Sequence, residues 1–383
     1  MSPALPSWSL SRRRFLASLG TVMAAPAGIG CDASPTAERW VSAQGDSDET
    51  YGLVIAEPGG SSTTVRSGFR GHAMAHHPSD GSRVVMFGRR PGQFGIVVDI
   101  DRARVVQRFE CTPHRRFAGH GCFDADGTRL LTVEADIETG AGIVAVRDAA
   151  TLEVVREIET HGIGPHEIVL MPDGRTLAVA NGGILTRPET GADKLNLDTM
   201  RSTLVYLDLD SGQVLDEQGV LEPKASLRHL AVADDGTVVV VMQIQREALE
   251  DDEPRPLIAV HHPGQSLEPF TDGLELSTAM QDYAASVAVD DHARIAAVPS
   301  PRGNLVGFWH IDTGAWVGQH AFDDVSGVTV SAEHGCFVLS GSGGQVRLID
   351  TETLAEATAA RERFSDVRWD NHLLAISPLT ALT

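Results

Sequence analysis

The chain has 383 residues, and 52 Asp and Glu against 31 Lys and Arg give a formal charge of −21. A carboxylate surplus on that scale repels nucleic-acid backbones and favours solubility, so nucleic acid is excluded as a leading partner. Beyond the N-terminal leader no stretch is apolar enough to span a bilayer, and the remaining length suits one repeat-built domain.

The first element is an export leader at 1–31. "SRRRFLASLG" at 11–20 places paired arginines ahead of a mild apolar run that is broken by Gly20, Pro26 and Gly28. The order S-R-R-x-F-L is the twin-arginine pattern, which moves proteins already folded. The expected location is therefore the periplasm. Cys31 closes the leader in "AGIGC" and is a candidate for lipidation, which would be the only membrane attachment. "APA" at 25–27 offers simple cleavage instead, and Gly28 stands where lipoprotein leaders usually have Leu. Residues 32–47 read as a polar linker.

From residue 48 to 380 the chain repeats. "HAMAHHPSDG" at 72, "HGCFDADG" at 120, "HEIVLMPDG" at 166 and "HLAVADDG" at 229 each join a short alternating run to an Asp-Gly turn, a strong hairpin signal. Weaker copies start at 286, 327 and 367. A second apolar run follows each turn, then two more strands, as in "GIVVDIDRARVVQRF" and "STLVYLDLDSGQVL". Four strands in roughly 40–50 residues make a β-propeller blade, so the expected fold is an all-β, seven-bladed propeller. "YGLVIAEPGGSSTTVRSGF" supplies strands three and four of the last blade, and "DVRWDNHLLAIS" its strands one and two. Pairing the two ends removes the exposed sheet edges.

Two loops exceed the template, at 181–201 and 244–256, and long loops in compact domains are often functional. In a propeller the first strand of each blade lines the channel, and the loops entering strand one and leaving strand two share one face. His72, His120, His166 and His229 then open four consecutive inner strands at one mouth. Imidazoles on adjacent rigid strands are candidate ligands for a borderline transition metal, with Glu134 as a carboxylate partner. Arg70, Arg89, Arg90, Asn181, Arg228 and Gln243 are candidate ligand-binding residues at the same mouth, the arginines suiting an anion. The bland alternative is that each histidine bonds a neighbouring blade. His261, His262 and His310 read as surface residues.

Other chemistry lacks its motifs. There is no G-x-S-x-G elbow, no G-x-x-x-x-G-K-[ST] nucleotide loop and no C-x-x-C-H for covalent haem. Of the four cysteines, Cys111 and Cys122 could form a bridge in an oxidising periplasm, but buried free thiols are the favoured reading.

The leader, "RGHAMAHHP", "GHGCFDADG", "GIGPHEIVLMPDG", "ANGGILTRPETGADKLNLDTM" and "SLRHLAVADDG" together resemble one bacterial family, domain of unknown function 1513. The resemblance implies a periplasmic propeller acting in iron uptake or handling, with imelysin-like and dihaem-peroxidase-like proteins as expected partners. It assigns no catalytic residue. The resulting expectation is a metal-binding or partner-docking propeller holding iron or copper at its mouth. A propeller enzyme (lyase, hydrolase or oxidoreductase) using the same mouth, and a metal-free interaction scaffold, are the alternatives.

Overall fold

The computed structural model describes residues 38–331 and 335–377. The leader, its twin-arginine motif and the candidate lipidation site Cys31 lie outside the described residues. Those residues form seven antiparallel sheets of four strands each. The seven inner strands are Gly71–His76, Arg115–Phe123, Pro165–Leu170, Ala225–Val232, Ala288–Asp290, Val325–Ser331 and Leu374–Ile376. They belong to blades 1 to 6 and to the closing blade, in that order.

Within a blade, burial falls from the middle outward. The second strand of blade 4, Val238–Ile244, reads VVVVMQI and is buried almost throughout, because neighbouring blades cover both its faces. The outermost strand of blade 3, Val214–Gly219, reads VLDEQG and is mostly exposed. Continuous β-branched runs thus mark strands covered on both faces, while mixed runs mark blade edges. The Asp-Gly turns form as read, with Gly127, Gly174 and Gly236 at positive φ. Helix is confined to short pieces, of which Glu275–Ala279 is the one α-helical segment among the described residues.

The closing blade unites both chain ends, in a different division from the one read in the sequence. Three of its strands come from the N-terminal side: Arg39–Gln44, Gly52–Glu57 and Ser61–Arg66. The C-terminal side gives only the inner strand, with Trp40 paired to Ala375 and Val41 to Leu374. The start of the expected linker therefore conceals a strand. Its "RWVSAQ" buries Trp40, Val41 and Ala43 against the sheet, a signal masked by the polar GDSDE that follows.

One smaller expectation is met and one is corrected. Cys111 and Cys122 are free thiols, as favoured, and burial pushes Cys122 up to about 12. His261 is buried rather than on the surface, with its Nδ1 2.6 Å from the Tyr206 hydroxyl.

Candidate functional site

The inner strands share an irregularity near the mouth. Pairing to the second strand slips between Gly71 and Met74, Phe117 and Gly121, Pro165 and Glu167, Leu227 and His229, and Val325 and Gly327. A bulge re-aims the side chains beside it. In blades 1 to 4 it brings one histidine per blade to the channel mouth, and blades 5, 6 and the closing blade have a counterpart at the start of the inner run. That position holds His72, His120, His166 and His229 in blades 1 to 4, Ser286 and Ser326 in blades 5 and 6, and His372 in the closing blade.

All four histidines chosen from the sequence converge, and His372 joins them. His120 lies 4.9 Å from His72, 5.1 Å from His166, 5.2 Å from His229 and 4.8 Å from His372, ring centre to ring centre. His372 is 4.6 Å from His72 and 4.7 Å from His229. Two overlapping trios, His72–His120–His372 and His120–His166–His229, each bring one nitrogen per ring to within 4.8 Å of the others. Gly119 makes the approach possible: at φ +104°, its missing Cβ would stand 2.7 Å from Cδ2 of His72.

Two carboxylates, the buried Asp370 and the partly buried Glu167, orient the rings. Asp370 accepts from Nδ1 of His72 at 3.1 Å and also from Arg70 and Arg89. Glu167 accepts from Nδ1 of His229 at 3.0 Å and lies 3.4 Å from Nδ1 of His120. A proton held on Nδ1 leaves the Nε2 lone pair free, the arrangement that outer carboxylates impose on metal-binding histidines. Nε2 of His120, Nε2 of His372 and Nδ1 of His166 are buried without a hydrogen-bond partner. Such orphans are uncommon in native interiors and call for an explanation.

Burial dominates the titration of His72, His166, His229 and His372. It lowers His72 to about 3, against the pull of Asp370, and lowers His229 against Glu167. His166 and His372 are held well below the usual range by burial and by neighbouring rings. Burial works against the carboxylates of Glu167 and Asp370 as well, yet the adjoining imidazoles outweigh it and both are lowered. These histidines are therefore neutral near pH 7, with basic nitrogens available to a cation.

A cleft of about 710 Å³ opens over this floor. His72, His166 and His229 face it, as do Arg89, Arg90, Arg116, Lys194, Arg228 and Arg302, with no Asp or Glu among the lining residues. The 181–201 loop forms one wall through Ile184, Thr186, Pro188 and Lys194, and Lys194 pairs with Glu247 of the 244–256 loop.

The remaining sequence candidates divide. Arg89, Arg90, Arg228 and Gln243 line the cleft, and Arg228 donates to Gln243 at 3.0 Å. Arg70 stands behind it on Asp370. Glu134 does not join the histidines. It is fully buried within blade 2, where Arg147 donates to it at 2.7 Å and the Thr112 amide at 3.1 Å, because it projects from a second strand rather than an inner one. Asn181 is consumed in a clasp between blades, accepting from the Thr160 hydroxyl and donating to the Thr160 carbonyl, both at 2.8 Å. Glu167, Asp370 and His372 were missed. "PHEIVL" and "WDNHLLAI" held the signal: a carboxylate beside an inner-strand histidine, and a fifth histidine-led run.

Seven blades around a channel whose mouth carries a histidine floor and a cationic cleft define the molecule as a seven-bladed β-propeller with one differentiated face. The chain belongs to the family described as Protein of unknown function (DUF1513), whose profile matches residues 66–376. No curated protein matches it significantly. Among solved structures, one titled Kuenenia stuttgartiensis Hydrazine Synthase is similar, with a TM-score of 0.55 and 16% identity, covering 82% of this chain and 92% of that one. At that identity the likeness extends to the fold alone.

Proposed function

We propose that this protein is a metal-binding propeller of the periplasm, exported by the twin-arginine route and acting in iron handling. The observation that carries the metal reading is the set of unpartnered, buried imidazole nitrogens on His120, His166 and His372, beside rings whose Nδ1 atoms are held by Asp370 and Glu167. The neutral nitrogen donors suit iron or copper better than magnesium or calcium, which prefer oxygen. His72 and His229 complete the donor set, and the bound ion would offer a Lewis-acidic or redox-active centre at the floor of the cleft. Export and the link to iron rest on the leader and on the family resemblance, as do imelysin-like or dihaem-peroxidase-like partners.

A second reading, catalysis at the same mouth, is favoured by one feature: the floor opens into a cleft large enough for a small molecule. A purely structural metal site is usually closed.

The test is metal analysis of the purified full chain after exposure to iron(II) or copper(II) and desalting. Wild type should retain metal, and H120A/H166A should lose it while keeping the circular dichroism of the propeller. Equal retention in both proteins ends the reading.

A further inference from the structure

The lining of the cleft has a charge imbalance that a metal centre alone does not explain. In a chain of formal charge −21, five arginines and one lysine face a single concavity. Several are satisfied by the protein. Arg89 donates to Asp370, Lys194 pairs with Glu247, and Arg302 stacks 4.5 Å from the ring centre of Tyr283. Three are incompletely satisfied. Arg90 makes no hydrogen bond or ion pair through its guanidinium among the described residues. Arg116 donates to Thr186 and Arg228 to Gln243, yet the Nε of each is buried without a partner. Among the described residues no carboxylate forms an ion pair with this trio, and Glu189 acts on Arg116 only from a distance. Burial, then the nearby Arg228, Arg116 and Arg89, pushes Arg90 down to about 9. Like charges gathered in a half-buried cleft are costly unless an anion joins them.

We propose that the cleft binds a small organic polycarboxylate, with its carboxylates on Arg90, Arg116 and Arg228. Guanidinium forks pair with carboxylates through two parallel hydrogen bonds. The three arginines come from blades 1, 2 and 4, so the positive charge is spread across the opening rather than focused on one point. Between the cations lie Pro91, Ala118, Ile184 and Pro301, an apolar surface suited to a carbon skeleton. This inference goes beyond the metal reading and stands without it, since none of the three arginines belongs to the histidine set.

Titration calorimetry with citrate on the metal-stripped full chain tests it, with trimethyl citrate and inorganic phosphate as comparison ligands. Citrate should bind, and the neutral ester and phosphate should bind at least about tenfold more weakly. R90Q/R228Q should lose about tenfold or more in citrate affinity, and R90K/R228K should recover part of it. H120A/H372A, which removes two metal donors that do not line the cleft, should bind citrate as wild type does, so failure of the metal reading leaves this result intact. Citrate affinity unchanged in R90Q/R228Q, or equal affinity for the ester, overturns the proposal. Phosphate binding as tightly as citrate overturns the organic assignment. A thermal unfolding scan of each variant separates lost binding from lost fold.

Discussion

Blades 1 to 4 and blades 5 and 6 are built on the same four-stranded plan, yet they fill one channel position differently. The first group and the adjoining closing blade present five histidines in succession around the ring, while Ser286 and Ser326 occupy the corresponding places in the other two. A residue kept only to brace neighbouring blades would be expected in every blade, because every blade meets the same kind of neighbour. The imidazoles are instead segregated to one arc, and both carboxylates that orient them, Glu167 and Asp370, lie in that arc as well. So do most of the cations of the cleft. The difference teaches that repetition supplies the frame and that departure from repetition marks the chemistry.

The comparison is broken most directly by substituting across it. H120A/H372A should abolish retention of iron or copper, whereas S286A/S326A should retain as much metal as wild type; metal analysis after desalting reads both. Similar losses in the two variants would show that the arc has no special standing. Next in size, E167Q should weaken metal affinity by about 10–100-fold, the usual effect of removing an outer carboxylate, measured by competition with a chelator. An unchanged affinity would assign Glu167 a packing role only.

Acid should sharpen the contrast. His72, His166, His229 and His372 are lowered on folding, so between pH 6.5 and about 3 the unfolded chain takes up protons that the folded chain refuses. Their contribution to stability is complete above 6.5 and is lost as the pH falls through that window. The lowered carboxylates of Glu167 and Asp370 lose theirs in the same direction. The denaturation midpoint of the metal-free protein should therefore drop steadily from pH 7 to pH 4, and H166Q/H372Q should flatten the upper part of the curve. A slope identical to wild type would refute the assignment. The smallest effect is expected for G119A, which forces a side chain at φ +104° against His72. It should cost about 1–3 kcal/mol in chemical denaturation, the usual range for such backbone strain, and weaken metal retention by displacing that ring.

Much of this was legible beforehand. The Asp-Gly turns and β-branched runs fixed the blade count, and the residue six to eight places before each turn's Asp located four of the five imidazoles. His372 escaped because the final inner strand has no Asp-Gly turn after it to set the register. Glu167 escaped because strict alternation would place neighbours His166 and Glu167 on opposite faces, and the bulge at Pro165–Glu167 overrides alternation locally. Glu134 misled for the opposite reason. Its spacing fits the mouth, but a buried arginine on the next strand, Arg147, claims its charge, and such pairing across strands leaves no mark in the linear pattern. Arg116 and Lys194 are ordinary basic residues until the 181–201 loop folds over the channel beside them.

The closing blade gives His372 a significance beyond its nitrogen. It stands two residues before Leu374–Ile376, the strand whose backbone is fastened to Arg39–Gln44 on the N-terminal side. A growing or truncated polypeptide holds the first four imidazoles but has no fifth, so tight occupancy would certify that the circle has been completed. By mass action, an ion gripped by both His120 and His372 would also resist parting of the pairing between the two ends. Cargo and clasp would then be the same object.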